Sequence, residues 1–198
     1  MKRIAGLMRK DFYEIMGAGR TLMTVILMYL VLGQIFYPSI ADVGMLICLM
    51  LPVNTIGYDE RSGWSRYVLS FPVTKKEIVL SKYLLGYLFM AAGFVIRLAA
   101  GVLSGHSEGI LLACAASAML GLMYMAIQMP VMLRFGIEQG RMWTMLFTVV
   151  FAFGAVYASQ ISLSAIDAMR YAALALPILV IVMQPVSIRI STALYGKR

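Results

Sequence analysis

Charge is what this chain has least of. Only 13% of its 198 residues are Asp, Glu, Lys or Arg, against 62% that are hydrophobic, whereas a soluble domain carries about 25% charged residues. With a mean hydropathy of +0.86, the composition excludes a water-soluble globule and selects a lipid bilayer as the solvent. The net charge of +8 would suggest nucleic acid in a soluble protein. Here the positive-inside bias of membrane loops accounts for it, and no nucleic-acid partner is expected.

Metal-binding and catalytic residue types are equally sparse. There is one histidine, His106, in the polar stretch SGHSE, and there are two cysteines, Cys48 and Cys114, each inside an apolar run. A metal site needs several converging ligands, so no metal is expected. The cysteines read as small hydrophobes rather than a disulfide. No GxxxxGK[ST] loop is present to cradle phosphates, and no Ser-His-Asp or paired-carboxylate arrangement is readable, so no catalytic residue is assigned. Proton-driven transporters place Asp or Glu within a span. The nearest candidate, Asp42, falls at a span mouth and reads as an interfacial cap.

What is present is a series of apolar runs of membrane-crossing length, about 17–25 residues. Six are expected, at 21–37, 41–57, 84–103, 109–129, 142–161 and 171–190, within one domain covering 1–198. Ahead of them, Ile4, Leu7, Met8, Phe12 and Ile15 recur at helical spacing with Lys2, Arg3, Arg9 and Lys10 opposite. That is the pattern of a helix lying in the membrane interface, here over residues 1–20, rather than of a cleavable signal peptide. The basic residues then orient the chain. The N-terminal segment, 58–83, 130–141 and the C-terminal tail hold fifteen of the seventeen Lys and Arg; only Arg97 and Arg170 lie elsewhere. Both termini and the 58–83 and 130–141 loops are therefore expected on the cytoplasmic side.

Several spans carry residues that apolar packing does not require. Pro52 and Asn54 interrupt the second, Arg97 stands two-thirds of the way along the third, and Pro177, Gln184 and Pro185 break up the sixth. Pro52, Asn54, Arg97 and Gln184 are the candidates to line a path through the bundle; the prolines and their polar neighbours alternatively let helices flex or are structural kinks buried among helices. Arg97 either snorkels outward along its stem, faces a cavity or pairs with an acid. Gly101 and Gly105 form GxxxG, and Ala113, Ser117 and Gly121 recur every four residues, a signature of close helix packing. Ser164 and Asp167 form a second capping-box pattern in the last external connection, where an outer helix, a re-entrant pair or a plain loop each fit.

The densest local signal is the segment Tyr58–Tyr83, YDERSGWSRYVLSFPVTKKEIVLSKY, which holds eight of the twenty-six charged residues. Trp64, Tyr67, Val68 and Phe71 fall at i, i+3, i+4 and i+7, one face of a helix expected over Ser62–Phe71. Pro72 ends it. Thr74 followed by Glu77 reads as a capping box opening the third span. Taken alone, this stretch is equally satisfied by an interfacial helix resting on lipid.

The run YVLSFPVTKKEIVLSKYL, two residues after YDERSGW, resembles the small six-span permeases of the bacterial ABC type-2 superfamily. Asp59, Glu60, Arg61, Gly63, Leu69, Ser70, Pro72, Val73, Lys75, Glu77, Ile78, Val79, Lys82 and Tyr83 match that family's pattern, with Lys75 where Arg is common and Phe71 where a small aliphatic residue is usual. The resemblance implies an all-α integral membrane fold of the type V exporter kind, with six transmembrane helices, an N-terminal interfacial helix and a cytoplasmic coupling helix between spans two and three. It implies a P-loop ABC ATPase partner carrying ATP and magnesium, a second permease copy as homodimer or heterodimer, and location in the bacterial cytoplasmic membrane. The ATPase-coupling interface would comprise Glu60, Arg61, Gly63, Trp64, Arg66, Tyr67, Val68 and Phe71, with Trp64 and Tyr67 as buried anchors and Arg61 and Arg66 pairing with acidic residues of the ATPase. The expected function is the transmembrane subunit of an ATP-driven exporter, itself not an enzyme, moving an amphipathic or hydrophobic substrate such as a peptide. The alternative is a non-transport membrane protein, a peptide sensor, immunity or assembly factor, using 58–83 as an interfacial helix.

Overall fold

The structure is a computed structural model and describes residues 2–18, 20–36, 48, 50–105, 110–160 and 166–195. All regular structure among these residues is helical. We number the α-helices α1 (Lys2–Ala18), α2 (Arg20–Phe36), α3 (Met50–Arg61), α4 (Trp64–Tyr67), α5 (Lys75–Leu103), α6 (Ile110–Gln160) and α7 (Ile166–Leu194), with a 3-10 turn at Val68–Ser70 after α4.

Helix α5 is the axis of the bundle, since α1, α2, α3, α6 and α7 all pack on it. Its start follows from local chemistry. Thr74 is extended, its hydroxyl accepts from the Glu77 amide at 3.3 Å, and the Glu77 carboxylate accepts from the Thr74 amide at 2.8 Å. The expected capping box is therefore present, and two of the orphan donors of the first turn are satisfied. Its end is equally local: Gly105 takes a left-handed φ of 77° just past the last turn, a conformation that favours glycine. Gly105 thus terminates the helix instead of continuing the GxxxG stripe.

Along its length α5 buries Ile78, Val79, Tyr83, Leu85, Phe89 and Met90. All of these but Ile78 share one apolar core with Ile15 of α1, Leu30 of α2, Leu51 of α3, and Met125, Met129 and Met132 of α6. Contact with α6 and α3 is close at Gly86: a Cβ there would meet Met125 Cε at 2.4 Å and Pro52 Cγ at 3.5 Å. Pro52 is thus packed against the central helix. Cys48 and Cys114 are buried and form no disulfide.

The 130–141 loop expected between the fourth and fifth spans is instead helical on both sides of a single break. Helix α6 runs through Pro130 and is interrupted only at Gly136, where φ is 79° and ψ is −175°. The chain reverses there. Phe135 and Trp143 stack with ring centroids 6.0 Å apart, and a Cβ on Gly140 would lie 3.4 Å from Met132 Cα, although eight residues of continuous helix would separate such positions by about 12 Å. Gly136 makes so tight a reversal possible because its backbone conformation is essentially closed to other residues.

Three helices among the described residues are long and apolar enough to cross a membrane: Lys75–Leu103, Ala113–Gly136 and Pro177–Leu194. The number becomes four if Arg3–Gly17 and Arg20–Gly33, bent by 83° from one another, are taken as one span. These helices overlap the expected spans 84–103, 109–129 and 171–190 without sharing their bounds. Span 21–37 falls on α2, which has 17 residues. Span 41–57 lies partly outside the described residues, and Asp42, His106 and Ser164 lie outside them. Residues 142–160 of the expected span 142–161 form the second limb of α6, whose side chains beyond residue 146 are not described.

Candidate functional site

The 58–83 segment begins on the last turn of α3, and Gly63 then swings it away with a left-handed φ of 70°. The expected helix over Ser62–Phe71 is shorter and of two kinds: four α-helical residues, a three-residue 3-10 turn, and an extended Phe71 at φ −83° and ψ 157°. Because a 3-10 turn advances each residue by about 120° instead of 100°, the apolar face predicted at i, i+3, i+4 and i+7 divides. Val68 is buried at 1% exposure and Trp64 is half-buried, while Tyr67 and Phe71 are 67% and 53% exposed. Trp64 leans on Phe71, ring centroids 6.0 Å apart. Glu60 and Arg61 are exposed at the end of α3; the side chain of Arg66 lies outside what is described.

Against this segment lies α1. Arg3, Gly6, Leu7 and Lys10 recur at helical spacing and, with Trp64, Val68 and Phe71, line a groove of about 340 Å³. The next face of α1 turns inward and buries Asp11 and Ile15. Asp11 therefore belongs to the core and not to a polar side, and Lys10, expected opposite the apolar face, reaches the same contact.

Where α1, α3 and α5 meet, five ionisable side chains converge. Lys82 of α5 is 4% exposed and donates to Asp11 at 2.9 Å, Asp59 at 2.6 Å and Thr55 at 3.0 Å. Lys10 contacts Glu14 at 2.9 Å, Asp11 at 3.3 Å and also Asp59. The Lys10 ammonium is in addition 4.9 Å above the Trp64 ring. Burial alone would lower the Lys10 pKa, but the hydrogen bond and charge of Asp59 outweigh it and hold the ammonium above its ordinary 10.5. Burial raises the Glu14 carboxyl above 4.5 despite Lys10 beside it. The end of α7 reaches the same place: the Tyr195 hydroxyl is pushed up to about 12, first by burial and then by the Asp59 carboxylate.

Three carboxylates face two ammonium groups in this cluster. Oxygens of Asp11, Glu14 and Asp59 lie within 4.8 Å of one another, a spacing a metal ion would accept. Lys10 and Lys82 bond one oxygen each of Asp11 and Glu14 and both of Asp59, so the arrangement is an ion-pair network, with Asp11 Oδ2 and Glu14 Oε2 buried and without a hydrogen bond. Removing one member of such a buried set leaves an uncompensated charge, which makes it a joint with a strong preference for one geometry. Sequence reasoning missed this joint. Asp59 and Lys82 are visible only as matches to a family pattern, and Asp11 looks like one more charge on an amphipathic helix. The available signal was an isolated Lys two turns inside an apolar helix.

The residues singled out within the spans lie at separate levels. Gln184 of α7 accepts from the Tyr87 hydroxyl at 2.7 Å and donates to the Leu122 carbonyl at 2.8 Å. One helical turn earlier on α5, the Tyr83 hydroxyl meets Ser187 at 2.6 Å and Ser191 at 2.9 Å, and Ser187 donates to the Ala126 carbonyl at 2.5 Å. Pro52 is buried at the level of Gly86, and Asn54 is half-buried on the same helix. Arg97 lies ten residues further along α5, or about 15 Å. It is 1% exposed and donates to Ser117 Oγ at 2.6 Å. Arg97 therefore does not snorkel; a helix-to-helix bond inside the bundle satisfies it more cheaply than a path to the interface.

A family model for ABC-2 family transporter proteins matches residues 6–196. The chain belongs to that family: it is a membrane-embedded ABC transporter permease, a type of subunit that associates with an ABC ATPase and normally carries no catalysis of its own. No curated protein and no solved structure matches it.

Proposed function

We propose that this chain is the transmembrane subunit of an ATP-driven exporter in the bacterial cytoplasmic membrane, with six spans, both termini in the cytoplasm and a second permease copy beside it. Residues 58–83 are its coupling segment, and ATP and magnesium reside in the partner ATPase. The observation that carries this reading is the division of the 64–71 turn: Tyr67 and Phe71 project outward while Val68 and Trp64 anchor the turn to the chain's own α1. Exposed aromatic residues on a braced element are what a rigid docking contact requires, since aromatic side chains dominate interface energetics. The exposed Arg61 flanks them as a rim charge. The substrate is amphipathic or hydrophobic, a peptide being one such class, and Pro52, Asn54, Arg97 and Gln184 are the residues to scan for effects on it.

The test is affinity purification of the tagged chain from gently solubilised membranes. A P-loop ATPase is expected to accompany the wild type and to be lost from Tyr67→Glu, with membrane insertion and monodispersity unchanged. Recovery of Tyr67→Glu with its ATPase at wild-type stoichiometry would remove the docking assignment. A wild-type chain that carries no ATPase yet binds lipid vesicles through 58–83 would favour the non-transport alternative.

A further inference from the structure

We infer that Lys10 is a positioning residue that relays movement of the coupling segment into the membrane helices; this rests on the proposed function. The geometry sets Lys10 apart from every other residue of the ion cluster. Its ammonium lies over the ring of Trp64, the one member of the 64–71 turn in ring contact with the network, and it bonds in the same stroke to Glu14 and Asp11 of α1 and to Asp59 of α3. Lys82 grips Asp11 and Asp59 from the other side. Two ammonium groups therefore share the same two carboxylates, one presented by the coupling segment's neighbour and one by the central helix.

The division of labour follows from burial. Lys82 is 5% exposed in its side chain, so its bonds fix α1, α3 and α5 as one unit. The Lys10 side chain is 24% exposed and borders the groove that opens beside Trp64 and Phe71. A push on Trp64 displaces the ring beneath the Lys10 ammonium. The carboxylates that Lys10 holds belong to the unit locked by Lys82, so the displacement is passed to α5 as a whole. Helix α5 runs without a break from this joint to Leu103, about 30 Å away at 1.5 Å per residue. A contact at one end is thus carried to the other by one rigid helix, and Gly63 with its left-handed φ turns the chain from α3 into that contact.

The test labels Leu103→Cys, which is 88% exposed at the far end of α5, with an environment-sensitive fluorophore; the two native thiols are buried. The purified permease–ATPase complex is then trapped with ATP and vanadate. The wild-type background is expected to give a nucleotide-dependent fluorescence change. Lys10→Met should co-purify with the ATPase but lose at least about four-fifths of that change, and Lys10→Arg, which keeps the charge, should restore most of it. A full change in Lys10→Met overturns the inference. Loss of the ATPase from Lys10→Met overturns it too, because Lys10 would then be a docking residue. A wild-type chain without an ATPase partner instead refutes the proposed function itself, so the two failures are separable. A merely structural role for Lys10 would lower the yield of complex without changing the signal per complex.

Discussion

Lys82 Nζ on α5 lies 2.6 Å from Asp59 Oδ2 on α3, which ties together the two helices that flank the 64–71 turn. Neither charge is accessible to water in any useful degree, so the pair is held by geometry and by the additional bonds to Asp11 and Thr55. Lys82→Met leaves Asp11 and Asp59 facing each other with Lys10 alone to neutralise them. Breaking one side of a buried pair costs about 3–5 kcal/mol. Reversible unfolding in mixed micelles should register that loss, and Lys82→Met combined with Asp59→Asn should recover part of it. Equal stability of the single and double variants would count against a coupled pair.

Glu14 gives the cluster a pH dependence whose sign is fixed. Burial raises its carboxyl above 4.5 in the fold, so the folded chain binds the proton more tightly than the unfolded one. Its contribution is then fullest below pH 4.5 and declines as the pH climbs through the window just above that value. Glu14→Gln removes the titration. The variant should gain unfolding midpoint relative to wild type between about pH 4 and pH 7, by an amount limited by the partial exposure of the group. A difference that stays flat over this range would show that Glu14 does not titrate differently on folding.

Gly136→Ala should open the reversal in α6. The glycine's φ of 79° and ψ of −175° lie where a Cβ is strained, at a cost of about 1–3 kcal/mol. The expected outcome is a lower unfolding midpoint and weaker cross-linking between cysteines placed at Phe135 and Trp143. The same substitution at Gly6 inside α1, around which an added Cβ meets nothing within 4 Å, should leave the midpoint unlowered or raise it, since alanine favours a helix interior over glycine by about 1 kcal/mol.

Tyr83→Phe keeps the ring and removes the hydroxyl shared with Ser187 and Ser191. Ser187 retains its bond to the Ala126 carbonyl, whereas the buried Ser191 hydroxyl loses this partner, so the loss should be about 1–3 kcal/mol, the cost of a buried polar group left unsatisfied. Tyr87→Phe should cost more of α7's attachment than its single bond suggests, because Gln184 is then held only by Leu122. Hydrogen exchange along α7 is the direct measurement.

The features legible in the sequence were those set by neighbours along the chain. Thr74 and Glu77 are three residues apart, and no distant contact is needed to make their capping box. The periodicity of α1, the extent of α5 and the interruption at Pro72 are local in the same sense. The family pattern ran through Asp59 and Lys82 without giving either a role.

What the amino-acid sequence determined by itself is the solvent and the class: a chain with so few charges must fold in a bilayer, and the run after Arg66 identifies its family. The tertiary structure alone decided which charges meet. Asp11, Asp59 and Lys82 are brought together by the packing of α1 and α3 on α5, across separations in sequence where periodicity carries no information. It also decided that Arg97 turns inward to Ser117 and that a loop expected over 130–141 is a reversal at one glycine. In each case the reason is the same: a buried charge or a tight turn takes its geometry from partners that only the packed bundle supplies.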